Sequence, residues 1–309
     1  MIAILALKSE IVDQTHEIGD RLRELLGEDT IVRLGDDGIT TIAEVAGVVV
    51  KVSRRDHPIP NELLDGPIEN AWYWPEARQV FLSHASHLIV ICQKSTTEEE
   101  QDVATSEMPE SGVEMESAAA ESAPLDSAPL DSAPLDSAPL ESAPLDSAPP
   151  LDEGEIGFSV QRALLLTRVS QVLGDAFAAV GVYWDSSTTI HAWPAFVESC
   201  QSMTPDRLPL RIWIDFRLWE ATDGTRGLAT RGLCALGQRE LEVIGSTSSA
   251  EQVRAWSYTV AHYCLEQTQI LKHGQAVGVS ASEWVRAWVV ESRLEPGTWA
   301  TWLDLEAEE

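Results

Sequence analysis

Positive charge is scarce in this chain: 21 Lys and Arg stand against 50 Asp and Glu in 309 residues, for a formal net charge of −29. No Lys or Arg lies between Lys94 and Arg162. Nucleic-acid binding needs clustered cations to meet phosphates, and docking on an anionic membrane surface needs the same, so both classes are excluded as expectations. Cysteine is sparse as well. Cys92, Cys200, Cys234 and Cys264 are far apart, with no CxxC pair, and Cys92 and Cys264 lie inside apolar runs. That pattern gives neither a disulfide framework nor a zinc cage, and a reduced, cytoplasmic setting is expected. Long apolar runs are also missing. Met1–Leu7 is apolar but stops at Lys8 with no basic residue ahead of it, which reads as a buried first strand rather than a signal segment. No window reaches the ~18 apolar residues of a membrane-spanning helix. Signature motifs of catalysis are absent too. Gly227, Gly232 and Gly237 recur every five residues without a following Lys-Ser/Thr, and there is no Gly-x-Ser-x-Gly elbow, His-Glu-x-x-His helix or dinucleotide glycine fingerprint. No cofactor or metal is expected.

The charge that is present is unevenly placed. Residues 98–155 hold 17 of the acids; removing them from −29 leaves −12 on the rest of the chain. Within that stretch a pentapeptide, Ser-Ala-Pro-Leu-Asp/Glu, runs for five copies from Ser122 to Asp146, with a broken sixth at Ser147–Asp152. A proline in every repeat forbids a continuous helix, and one Leu in five residues buries too little area to offset the entropy of ordering them. Residues 96–153 are therefore expected to be a disordered, acidic insert, locally extended by proline and self-repulsion. Lengthening a loop from about six residues to about 58 costs only about 2 kcal/mol of closure entropy. Two readings stay open: an inert insertion, or a spacer or acidic lure for a basic partner.

On either side of the insert the pattern alternates between strand and helix. Ile2–Leu7, Thr30–Leu34, Val45–Val52 and Leu88–Cys92 read as strands, and Ile11, Ile18, Leu22, Leu25 and Leu26 form a helical stripe over Glu10–Leu26 ended by Gly27. A segment capped by Asn61 runs through Trp72, Trp74 and Phe81. The order β-α-β-β-α-β is the split ferredoxin-like pattern. After the insert, Phe158–Phe177 is a helix so apolar that more than one neighbour must cover it. Val180–Trp184 and Thr188–Ala192 read as strands, and Pro194–Met203 as a helix opened by its proline. Leu210–Trp219 alternates, with Ile212, Ile214, Phe216 and Leu218 on one side and Arg211, Trp213, Asp215, Arg217 and Trp219 on the other, as a half-buried strand does. A turn at Thr222–Thr225 precedes another strand, Glu251–Leu271 is a long helix, and Trp284–Val290 and Thr298–Leu305 are strands. The expected class is α+β, with antiparallel or mixed sheets covered by helices.

Several short motifs in order give a resemblance. Pro58-Ile59-Pro60, Trp74-Pro75-Glu76-Ala77 and His84-Ala85-Ser86-His87-Leu88-Ile89-Val90 precede the insert. Val182-Tyr183-Trp184, Leu210–Leu218, Thr230-Arg231-Gly232-Leu233, Leu236-Gly237, Glu240-Leu241-Glu242 and Ala261-His262-Tyr263 follow it. Together they resemble the bacterial family called domain of unknown function 4261, over nearly the whole chain apart from the insert. The family has no assigned activity. The resemblance implies that residues 1–95 and 154–309 are two halves of one α+β domain interrupted by the insert.

Candidate chemistry is thin. His84 and His87 are three apart, which on a helix would place both on one face and could serve a metal or an acid–base step. A structural role bonding nearby carbonyls competes with that. His262, among Val260, Tyr263 and Cys264, reads as a satisfied core histidine. Asp215, between Arg211 and Arg217, suits an ion network, because neighbouring cations favour its charged form rather than the raised pKa of a general acid. Tryptophan is the stronger signal. Nine of the eleven Trp follow residue 183, and indoles are favoured at binding surfaces; Trp74, Trp184, Trp213 and Trp219 are the candidate binding residues. The sequence thus points to a non-catalytic binding or interaction module with an unknown, basic protein partner, in the manner of an acidic inhibitor or immunity-type protein. The alternative is a hydrolase-like or metal-dependent enzyme using His84, His87 and Asp215.

Overall fold

The computed structural model describes residues 1–10, 15–28, 30–71, 73–95, 148–204 and 206–306. Ile11 of the first helical stripe, Trp72, and the insert up to Ser147 with its five full repeats lie outside them. The first half contains β1 (Ile2–Leu7), α1 (Thr15–Leu26), β2 (Ile31–Leu34), β3 (Thr40–Val45), β4 (Val48–Arg55), α2 (Asn61–Asn70), α3 (Ala77–Leu82) and β5 (Ser86–Lys94). After the insert come α4 (Glu153–Ala176), β6 (Ala179–Trp184), β7 (Thr189–Ala192), α5 (Trp193–Gln201) and the single turn α6 (Leu210–Trp213). The chain continues through β8 (Asp215–Glu220), β9 (Arg226–Arg231), β10 (Glu240–Ser246), α7 (Ala250–Glu266), β11 (Gln275–Gly278), β12 (Trp284–Glu291) and β13 (Trp299–Asp304). The class is α+β.

A seven-stranded sheet runs β2-β3-β4-β5-β1-β6-β7 and is antiparallel throughout. Its central strand shows why Ile2–Leu7 is apolar at every position. Ala3, Leu5 and Leu7 pack with Ile18 and Leu22 of α1 and Ala163 and Leu166 of α4, while Ile4 and Ala6 pack with Leu64 of α2 and Phe81 of α3. A strand covered on both faces cannot alternate in polarity. β6 and β7 join the same sheet beside β1, so the segments before and after the insert share one hydrogen-bonded layer.

The strand order departs from the ferredoxin-like pattern. There, the two strands flanking each helix lie parallel with another strand between them. Here β4 leads through α2 and α3 and returns as β5, directly antiparallel to β4, and β1 lies outside that pair. Val45–Val52 is likewise two strands: Ala46 and Gly47 turn between β3 and β4 with φ of 47° and 76°, the left-handed pair a tight hairpin requires. Asn61 does not cap by its side chain; Pro60 occupies the cap position, and the segment divides into α2 and α3.

α4 is buried on several sides, and its N-terminus is capped by Asp152, whose carboxylate accepts the Gly154 N–H at 2.8 Å. The helix packs on the first sheet, on α1, on α5 and on α7. Gly174 permits the closest of these approaches, because a Cβ there would fall 2.0 Å from the Trp193 ring.

The second sheet runs β11-β12-β13-β10-β9-β8, antiparallel except for the parallel β10–β13 pair. Leu210–Trp219 enters it differently from the expected single strand. Residues 210–213 make one helical turn, closed by Ile214 N–H to Leu210 C=O at 2.8 Å, and only Asp215 onward pairs with β9. The turn shifts the phase, so Leu210, Ile212, Trp213 and Ile214 are all buried and Trp213 leaves the face of Asp215 and Trp219.

Candidate functional site

The two histidines, which on a helix would share a face, do not lie on one, and both take the structural role that competed with metal or acid–base chemistry. α3 ends at Leu82, His84 lies in the connection, and His87 is already in β5. His84 Nδ1 meets the Phe81 carbonyl and Nε2 accepts the Ile59 N–H at 2.6 Å. Both ring nitrogens therefore serve the backbone, which fixes the neutral tautomer with its proton on Nδ1. Burial lowers its pKa, in keeping with that neutral form. His87 is buried with Nδ1 bonded to the His57 carbonyl at 2.8 Å, and burial pushes its pKa down to about 4. The pair pins the Asp56–Pro60 loop to the first sheet. His262 is held too, accepting the Leu208 N–H at 3.3 Å and facing Glu266 at 3.3 Å.

Asp215 stands at the start of β8, in the other sheet, with Arg217 Nε donating to it at 2.6 Å. Among the described residues no group of three or more His, Cys, Asp or Glu is placed to hold a metal ion, so His84, His87 and Asp215 do not converge on one. Asp215 instead faces the joint between the sheets. Its negative charge, after burial itself, holds the Tyr73 phenol up to about 12, and that hydroxyl donates to the Ile190 carbonyl on the edge strand β7 at 2.7 Å. At the same joint Ser187 and Thr189 hydroxyls lie 2.8 Å apart and reach the Ile212 carbonyl at 3.3 and 3.4 Å. Thr189 also meets His191 Nε2 at 3.1 Å, and burial pushes the pKa of His191 down to about 4. A hydroxyl–imidazole chain was not legible in the sequence. Ser187 is 0% exposed, so no substrate can reach it and the chain fastens the sheets together.

The four candidate tryptophans separate. Trp184 and Trp213 are each 1% exposed, and Trp213 Nε1 donates to Thr167 of α4 at 2.9 Å, so neither is available to a partner. The expectation fails for both because each belongs to the shared core. Trp74 packs edge-on against Phe81, with ring centres 5.7 Å apart. Trp219 is different: it lies half-buried across Gly227, where a Cβ would come within 2.1 Å of its ring.

Strand register places Trp219 in company. Trp219 pairs with Gly227, Arg217 with Ala229, Ala229 with Glu242, Glu242 with Trp302, and Trp302 with Trp288. Paired residues share a face, and so do alternate residues of one strand. Trp219, Trp284, Trp288 and Trp302, with Arg217, Arg231 and Arg286 and the acids Asp215, Glu240, Glu242 and Asp304, therefore occupy one face of the second sheet. α7 covers the opposite face, where Phe216, Leu228, Leu241, Val243, Val285 and Leu303 are directed to the core. The Trp face has no helix over it among the described residues, and its four indoles remain half-buried. Guanidinium groups border them: Arg286 lies 5.1 Å from the Trp284 ring and Arg293 5.9 Å from the Trp302 ring. The sequence marked Trp284 and Trp302 as close neighbours of other Trp but could not say which indoles face outward.

No family model matches the chain, and no match was found among curated proteins or solved structures. No helix among the described residues is long and apolar enough to cross a membrane.

Proposed function

We propose that this chain is a non-catalytic interaction module that receives a protein partner on the Trp-bearing face of its second sheet. The observation that carries the reading is that four half-buried indoles, set among arginines and carboxylates, share a sheet face over which no helix lies among the described residues. Indole and guanidinium groups supply most binding energy at protein interfaces, because they bury large area and still offer donors. The histidines that an enzyme would need are engaged with backbone groups. The overall acidity pointed to a basic partner; the face itself carries carboxylates as well as guanidinium groups, so the partner surface is expected to present apolar side chains with charges of both signs.

The test is quantitative capture from isotope-labelled lysate on the immobilised full chain and on its Trp302→Ala and Arg286→Glu variants. A partner retained by the parent chain should lose about 30-fold in affinity with Trp302→Ala, the effect of removing one interface hot spot. Equal retention on all three chains would defeat the reading.

A further inference from the structure

The first sheet leaves half of one face without a helix over it among the described residues. Strand register sets Arg33, Ile42, Lys51 and Ile91 in one cross-strand row over β2–β5, with Ile31 and Val49 in the row beside it. Their neighbours Ala43, Val50 and Val90 point the other way, into the core under α1 and α4. α2 and α3 lie on the same face as that row but farther along, at β6 and β7. Ile42, Val49 and Ile91 are therefore only half-buried, and Ile31 is 68% exposed. The insert begins at this face. β5 is followed by the Ser95 N–H, which donates to the Gly47 carbonyl at 2.8 Å in the turn between β3 and β4. We propose that the acidic segment Glu98–Glu116 of the chain itself lies back across this half-face and covers it.

Three observations favour that occupant. The first is where the chain leaves. Ile91 pairs with Lys51, and Ser95 is four residues past Ile91. After a reversal at Thr96 and Thr97, about four extended residues, or about 13 Å, bring the chain level with Lys51. The 31 residues from 117 to 147 then have a contour of up to about 100 Å for the return to Pro149. The second is charge. On this half-face Arg33, Lys51 and Arg55 stand against Glu44, which pairs with Arg33 at 3.7 Å. Asp37 of the neighbouring turn has its carboxylate bonded to Thr40. Lys51 has no ion-pair partner among the described residues. The segment carries eight acids and no cation from Glu98 to Glu116. The Trp face, with carboxylates of its own beside its arginines, offers no such contrast. The third is apolar chemistry. Val103, Met108, Val113 and Met115 are spaced through those acids, and flexible side chains such as Met fill irregular gaps over residues like Ile42, Val49 and Ile91. The repeats beyond offer only one Leu in five residues and serve as the return path. Each contact is weak, but the tether supplies an effective concentration in the millimolar range.

A photo-crosslinking residue, p-benzoylphenylalanine, placed at Val103 of the full chain tests this directly. Cross-links mapped by peptide mass spectrometry should fall on β2, β3, β4 and β5, within one chain in mixtures of light and heavy protein. They should drop about fivefold in Lys51→Glu, where an attraction becomes a repulsion, and also in the parent chain at about 1 M salt, where the Debye length is about 3 Å. Lys51 is half-buried, so a variant outside the described residues is measured beside it. Glu98→Gln, Glu99→Gln, Glu100→Gln and Asp102→Asn together leave the folded body untouched and should lower the yield at least as much. Cross-links scattered over the surface, concentrated on another face, or formed only between copies would overturn the inference, and so would an unchanged yield in the neutralised segment. Trp302→Ala should leave the yield unchanged, which keeps this docking distinct from partner capture on the second sheet.

Discussion

Acid should loosen this fold well above the carboxylate range, and His87 is the group to test. Its ring is buried with Nδ1 on the His57 carbonyl, and burial lowers its pKa to about 4 from an ordinary 6.5. The folded value lies below the unfolded one, so the unfolded chain takes the proton first as pH falls. Stability is fully present above about pH 6.5 and is lost as pH falls from there toward 4. At pH 5 the unfolded ring is almost fully protonated and the folded one almost wholly neutral, a loss of about 2 kcal/mol relative to pH 8. His191, also lowered to about 4, adds a loss of the same sign, and so does His84. Carboxylates with lowered values, such as Asp37 and Glu306, act only at lower pH, so the window between pH 6.5 and 5 reports histidine. The perturbation is His87→Asn, which keeps a donor near the Nδ1 position and cannot titrate. Urea unfolding followed by tryptophan fluorescence at pH 8, 6 and 5 is the assay. With a slope of about 3 kcal/mol/M, the parent midpoint should fall about 0.7 M further than that of His87→Asn between pH 8 and 5. Parallel shifts in the two proteins would refute the assignment of His87 as a buried neutral ring.

Other outcomes follow from close contacts. Gly174→Ala places a Cβ against the Trp193 ring and should cost about 1–3 kcal/mol, read as a lowered Tm; an unchanged Tm would mean that α5 does not pack there. Gly232→Ala should be more damaging, since φ is 117° and the Cβ would meet the Trp213 carbonyl at 2.3 Å. Trp213→Phe removes the donor to Thr167 and should cost about 1 kcal/mol in denaturant unfolding. Asp215→Asn removes a negative charge facing Tyr73, so the phenol should titrate at lower pH than about 12 in an ultraviolet titration; no movement would separate the two groups.

What could be read from residues depended on how local the cause was. Ile2–Leu7 and Leu88–Cys92 were legible as buried strands because a two-sided covering leaves a continuous apolar run. Phe158–Phe177 announced its several neighbours by the same logic. Leu210–Trp219 misled, because Pro209 starts a helical turn whose four residues preserve an apparent alternation while moving Trp213 into the core. The Ala46–Gly47 turn was hidden inside a valine-rich stretch. His84 and His87 looked like a pair only if the helix continued; it stops at Leu82. The Trp face required register. Trp184 and Trp302 look alike in sequence, and only the pairing of Glu242 with Trp302, and of Trp302 with Trp288, puts the latter on the face that no helix covers among the described residues.

The central claim is that this face is where a partner binds. Hydroxyl-radical footprinting of the full chain, free and with its captured partner, tests it most directly, because indoles report their own exposure to the radical. The account predicts protection of Trp219, Trp284, Trp288 and Trp302 on binding, with no change at Tyr263 on α7, which covers the opposite face. Protection centred on Ile31 and Leu34 at the far edge of the first sheet, with the four indoles unchanged, would contradict it.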